Sequence, residues 1–236
     1  MTNRRRTVLA AIGAGAALAG CLGGVRGGDG GDSRAGGDGN GDDGGDEDAE
    51  TLGTHPASRG LDDQPSLGEA DAPATVVAFE DPSCPTCRKF ERGAGARLRE
   101  GPVADGRLRF VVRTYPIIYP WGEPATQALE ATYARDADAF WGLFDHYFAQ
   151  QGSFDGENVL PRTRDWLADN TDLDADEVVA DARTEAYDDA VQADLDAGEA
   201  AGANRTPTLF LFSDGTYRTR ASGSVSYETV ALALEL

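Results

Sequence analysis

The sequence predicts an α/β domain in which a long helical stretch interrupts a small sheet. Three observations carry this. Residues 75–113 alternate strand, turn, helix and strand around two cysteines; residues 123–201 keep a helical spacing of apolar side chains; and residues 208–236 close with a strand, a hairpin and a helix.

Thr75-Val76-Val77-Ala78-Phe79 is β-branched and apolar enough for a buried strand, and Asp81-Pro82-Ser83 supplies the turn after it. A helix starts at or just after Cys84 and runs through Arg88-Lys89-Phe90-Glu91 toward Leu98. Unpaired backbone N–H groups at such a start favour a thiolate, and Arg88 and Lys89 add positive charge. Cys84 is therefore the expected nucleophile. Pro85 loses no helical hydrogen bond in the first turn, and the Cys-Pro-Thr-Cys spacing lets Cys87, the resolving thiol, close a small disulfide ring. Arg107 to Arg113 reads as a second strand, and a right-handed β-α-β crossover would put Cys84 at the carboxyl end of the first.

The aromatic, proline-rich Thr114–Trp121 is expected to lie over the site as a loop. Helical segments follow, with Phe140, Trp141, Phe144, Tyr147 and Phe148 as core and His146 as a structural or surface histidine. Thr206-Pro207-Thr208 then opens the strand Leu209–Phe212. Asp214-Gly215 makes a hairpin turn, and Ser226 to Leu236 ends as a helix.

Ahead of this domain, Arg5-Arg6-Thr7-Val8-Leu9 resembles a twin-arginine export signal and Leu18-Ala19-Gly20-Cys21 resembles a lipobox, whose cysteine carries the lipid anchor. The apolar run between them is about half the ~20 residues a membrane-spanning helix needs. Residues 1–21 are thus expected to be a signal ending at Cys21, and the protein to be held at the outer face of the cytoplasmic membrane. Residues 22–66, rich in Gly and Asp, are expected to be a disordered, self-repelling tether in which His55 carries no information. The folded domain is placed at 67–236, with its helical insertion at about 121–201. A net charge of −20 argues against nucleic acid as a partner. Lys89 is the only lysine among 21 basic residues, against 41 acidic ones, and this composition resembles that of proteins from halophilic archaea.

A Cys-Pro-x-Cys at a helix start, a helical insertion, and Thr-Pro before a hairpin and last helix together resemble the DsbA-like branch of the thioredoxin fold. Phe79-Glu80-Asp81, Tyr115-Pro116, Phe140-Trp141 and Thr206-Pro207-Thr208 stand where that family has similar residues. The resemblance implies a thioredoxin-like fold with the helical insertion between its βαβ and C-terminal ββα units. It also implies a cis Pro207 opposite Cys84 and a Thr206 backbone that pairs with a substrate strand. Two departures stand out. The buried acid often found six residues before the first cysteine is Ala78 here, which leaves Glu80 as the candidate proton shuttle, on the same face only if the strand stays regular. Thr86 replaces the histidine of strongly oxidising relatives, so the Cys84 thiolate is expected to be less stabilised and the pair, tuned by Pro85 and Thr86, less oxidising.

Thiol–disulfide exchange is the chemistry these residues point to, without cofactor or metal. Cysteine-containing exported proteins would be the substrates, and a membrane redox partner would reoxidise or reduce the pair. The oxidising direction is the expected one; a reductase or isomerase is the alternative. A zinc site would need four ligands, and haem attachment would need histidine where Arg88 stands. A silent, lipid-anchored binding module with a structural disulfide is the remaining alternative.

Overall fold

The computed structural model describes residues 50–236. The expected signal, Cys21 and most of the tether lie outside the described residues. Five strands form one sheet in the order β1-β3-β2-β4-β5, with β1 at Ser66–Leu67, β2 at Ala74–Glu80, β3 at Leu108–Thr114, β4 at Thr208–Ser213 and β5 at Thr216–Ser222. Only β2 and β3 run parallel, Ala74 pairing with Leu108 and Glu80 with Thr114. Between them the chain is helical from Pro85 to Val103: α1 (Pro85–Phe90), a π turn (Glu91–Gly95), α2 (Ala96–Leu98) and a second π turn (Arg99–Val103).

The helical stretch is inserted between β3 and β4, as expected. It comprises α3 (Gly122–Tyr133), α4 (Ala137–Ala149), α5 (Val159–Asn170), α6 (Ala175–Arg183) and α7 (Asp188–Ala201), and α8 (Tyr227–Leu234) follows β5. Asp136, Asp174 and Ser226 cap α4, α6 and α8 by accepting from the backbone N–H three residues on.

Strand alternation sorts the core into two layers. Ala74, Val76 and Ala78 face the larger one with Cys84, Cys87, Phe90, Phe140 and Phe144, whereas Val77 and Phe79 face Tyr115, Ala197, Phe210 and Phe212. His146 stacks on Trp166 with ring centroids 5.3 Å apart.

Residues 50–66 correct the expected tether. They are folded onto the second face of the sheet, with His55 boxed by Phe210, Phe212 and Tyr217 and with Ala57 and Leu61 buried. Two β3 arginines hold this strap by its carbonyls. Arg113 donates to Ala57 O and Arg59 O, and Arg109 to Leu61 O. Composition suggested disorder because Leu52 and Leu61 are the only large aliphatic side chains here; backbone acceptors and a histidine ring do the anchoring instead. It also explains why β3, polar at Arg109 and Arg113, is buried along its whole length.

Candidate active site

Cys84 is the N-cap of α1, and its Sγ accepts from Cys87 N at 3.4 Å. Both cysteines are free and buried. The Thr206–Pro207 peptide is cis, as the resemblance implied, and as a thiol Cys84 donates to Thr206 O at 3.3 Å. Cys84 is pulled from 9.0 down to about 5, chiefly by a hydrogen bond from the Cys87 thiol and, against desolvation, by the Thr206 side chain and the N–H groups of Cys87 and Thr86. Burial first, then the hydrogen bond given to Cys84 and the charges of Glu80 and Cys84, push Cys87 well up. The two thiols are thus split into an acidic and a resistant one.

Two expectations about this thiolate change. Arg88 turns away to α4, where its Nε donates to Phe148 O at 2.9 Å. The hydrogen bond from the Cys87 thiol, with smaller help from Thr206 and the N–H groups of Cys87 and Thr86, lowers the Cys84 pKa without an imidazole at Thr86. Because the folded pKa lies below the unfolded one, the thiolate stabilises the reduced protein above the unfolded value and loses this effect as pH falls through about 5. Titrating the thiolate absorbance of the reduced protein should give a midpoint near 5. A midpoint above 8 would mean the helix start does not activate Cys84.

Glu80 ends a regular β2 on the Ala78 face, fully buried. Burial, then the nearby charge of Glu91, raise its pKa well above the usual carboxylate value, which favours the protonated form. Glu91 is also raised by burial, but Arg99 Nη2 lies 2.9 Å from its Oε2 and draws it back. Arg99 Nη1 reaches Asp145 at the surface, 2.9 Å away. A run of ionisable side chains, Glu80, Glu91, Arg99 and Asp145, therefore extends from beside Cys87 to the surface. The π turn opens room for Glu91, and a Cβ on Gly95 would come within 2.7 Å of its Oε1.

Asp81 and Gln151 belong to the site and were missed in the sequence. Buried Asp81 accepts from Ser83 N and Ser83 Oγ at 2.7 and 2.6 Å through Oδ1, and from Ile117 N and Ile118 N at 2.9 and 2.8 Å through Oδ2. Ser83 Oγ in turn accepts from Tyr119 N at 3.0 Å. The turn before Cys84 and the aromatic loop are one hydrogen-bonded unit. Gln151 Nε2 adds donors to Pro82 O and Cys84 O at 2.8 and 3.0 Å from the far side. The Asp-x-Ser pattern signals a local turn, but partners 36 and 69 residues away leave no local signal. Among the described residues no group of three or more His, Cys, Asp or Glu could hold a metal ion.

The family model described as thioredoxin matches residues 61–232. The probable disulfide bond formation protein D of Bacillus cereus is 31% identical over 107 residues, covering 45% of this chain and 46% of that protein. The chain thus spans about half the length of this curated relative. Among solved structures, oxidised BdbD from Bacillus subtilis has a TM-score of 0.64 at 24% identity, covering 75% of this chain and 95% of that one. The α-DsbA1 of Wolbachia pipientis has a TM-score of 0.61 at 16% identity, covering 73% and 89%. The fold is therefore a thioredoxin-like βαβ core with an inserted helical subdomain, of the DsbA type.

Proposed function

The chain belongs to the thioredoxin family, and on that premise we propose that it is a thiol:disulfide oxidoreductase which donates the Cys84–Cys87 disulfide to exported proteins. The observation that carries this is the place of Cys84 Sγ at the start of α1, 3.4 Å from Cys87 N and 3.3 Å from Thr206 O before the cis Pro207, an arrangement that favours the Cys84 thiolate while Cys87 stays buried. A thiolate that stabilises the reduced form makes the disulfide a stronger oxidant.

A substrate thiolate attacks Cys84 Sγ, the S–S bond breaks, and the electron pair leaves on Cys87. Glu80, whose carboxyl pKa is raised by burial and whose charge acts on Cys87, supplies the proton and is later reprotonated from solvent. A second substrate thiolate then attacks its own sulfur in the mixed disulfide and releases Cys84 as thiolate. Two electrons stay on the pair, to be taken by a membrane redox partner. Thr206 and Pro207 hold the substrate backbone beside Cys84, while Pro85 and Thr86 set the start of α1 and hence the thiolate. The export motif and the lipobox at Cys21 support a site of action at the outer face of the cytoplasmic membrane, and the acidic composition supports a saline setting.

Equilibration with glutathione buffers tests the direction. A potential near or above about −180 mV is expected, whereas one near about −270 mV would make the protein a reductase. Absence of any reversible couple would leave a binding module. Glu80 has its own test. Glu80→Gln, which fills the same space without a proton to give, should slow reduction of the disulfide by substrate about tenfold or more at neutral pH while the Cys84 midpoint stays put. An unchanged rate would remove Glu80 from the proton path.

A further inference from the structure

Tyr115 follows directly on β3 and is 7% exposed. Its backbone N–H donates to Glu80 O at 2.7 Å, which ties it to the end of β2. Its ring stands edge-on to Phe79, with centroids 5.6 Å apart, and lies against Gly198 of α7. A Cβ at Gly198 would collide with the ring, so the glycine is the seat the ring needs. Held in this way, the phenol reaches past the end of α7 and donates to Ala203 O at 3.1 Å. Burial, then the charge of Glu199, raises the pKa of the phenol, so it stays a donor at neutral pH. None of the exchange steps uses this side chain.

Ala203 stands three residues before Thr206, which faces Cys84. Both of its backbone groups are engaged: Ala203 N donates to Gly198 O at 2.7 Å, and Ala203 O accepts from Tyr115. Asn204 and Arg205, which come next, are exposed. The loop is caught again where Thr208 Oγ1 donates to Arg205 O at 2.7 Å and Gly223 N to Pro207 O at 2.8 Å. Arg220 Nη1 holds Gly202 O at 2.7 Å from the β5 side. Thr206 is thus suspended between anchors on β4 and β5 and one at Ala203, and the Ala203 anchor leads back through Tyr115 to Phe79 and Glu80. Its contacts with the nucleophile depend on that suspension. Cys84 as a thiol donates to Thr206 O at 3.3 Å, and the Thr206 side chain, whose Oγ1 has no hydrogen-bond partner elsewhere among the described residues, helps to hold the thiolate. Such bonds weaken steeply with small displacements.

We propose that Tyr115 is a positioning residue for the exchange reaction: through its hydrogen bond to Ala203 O it holds Thr206 at hydrogen-bond distance from Cys84 Sγ, and the redox balance of the Cys84–Cys87 pair depends on that contact. A phenol suits the task because its ring is rigid and packed on both sides, which fixes the oxygen in place. Without the bond, Ala203 O is left buried and unpaired, and the loop must shift to satisfy it. The inference rests on the oxidoreductase reading and adds to it a side chain that touches neither sulfur.

The test compares the full chain with Tyr115→Phe, Gly198→Ala and, as a control, Tyr147→Phe. Tyr115→Phe keeps the ring and removes the donor, whereas Gly198→Ala keeps the donor and displaces the ring. Tyr147→Phe removes another buried phenol, whose bond to Thr163 at 2.6 Å lies within the helical insertion. Thiolate absorbance of the reduced protein gives the Cys84 midpoint, glutathione buffers give the equilibrium constant, and denaturant unfolding reports stability. In Tyr115→Phe the midpoint should rise by about half to one unit, making Cys84 about three- to tenfold less acidic, and the constant for oxidising glutathione at pH 7 should fall by about the same factor. Gly198→Ala should move both the same way, and the double variant no further than the larger single change. Tyr147→Phe should lower the unfolding midpoint alone. A Tyr115→Phe protein that loses stability while its thiolate midpoint and equilibrium constant match the wild type overturns the proposal, and so does an equal shift in Tyr147→Phe. If Gly198→Ala fails to fold, Tyr115→Phe decides the matter alone. If the wild type shows no reversible couple, the oxidoreductase reading fails, and the titration alone upholds or overturns the hold of Tyr115 on Cys84.

Discussion

Replacing Cys84 by serine should lower disulfide exchange by at least about 10³-fold, because no other described sulfur is both acidic and next to the cis-proline loop. The substitution keeps the fold testable. A serine Oγ can still accept from Cys87 N and cap α1, so what is lost is the nucleophile and not the helix start. Cys87→Ser separates the two roles. It leaves Cys84 able to attack a substrate disulfide but removes the thiol that resolves the product, so mixed disulfides should accumulate and be visible on non-reducing gels. Full activity in Cys84→Ser would rule out the assignment of nucleophile; equal trapping by both variants would rule out the division of labour.

Asp194→Ala should lower stability by about 3–5 kcal/mol, the range for breaking a buried ion pair from one side. Asp194 and Arg113 are each 1% exposed and meet at 2.6 Å. Asp194 also accepts from Thr114 N at 2.8 Å and from Gln64 Nε2 at 3.0 Å, so one carboxylate joins α7, β3 and the strap. Burial lifts it to about 6 against the pull of Arg113 and Thr114, which still leaves it ionised at neutral pH. Alanine would strand the Arg113 guanidinium on the carbonyls of Ala57 and Arg59. Denaturant unfolding in low and high salt is the check. The loss should persist in concentrated salt, because a pair this deep is scarcely screened. A loss under about 1 kcal/mol would mean that the strap holds without it.

The parts of this protein that were legible in its sequence are those whose partners are local or whose chemistry is rare. β2, β3 and β4 announce themselves by β-branched and apolar runs, and two cysteines at a helix start, with Thr-Pro before a late strand, define most of the site. Glu80 could be placed on the right face only because β2 keeps its alternation to the end. Other features depend on encounters the sequence does not record. β1 is two residues long and sits in a polar stretch, so neither length nor pattern marks it. Glu91 enters the site because a π turn shifts it off the 3.6-residue helical pattern, and a helical wheel drawn through residues 85–103 misplaces that face. Asp81 reads as a turn residue until Ile117 and Ile118 are brought to it. His55 and Ala57 look like linker until β3 supplies the arginines that bind the carbonyls around them.

The strap has one more effect. Thr51 bridges to Thr216 on β5, with Leu52 N donating to Gly215 O and Tyr217 N to Glu50 O, while Ser66 and Leu67 pair with β3 at the opposite side of the sheet. The same short segment therefore covers part of the free edge of β5 and, as β1, part of the side of β3 that faces away from β2, and open N–H and C=O groups along such edges are where one sheet recruits another. Molecules concentrated together on a surface would meet each other edge to edge far more often than in dilute solution. A sheet whose edges are partly covered by its own chain offers less open backbone on which another strand could add.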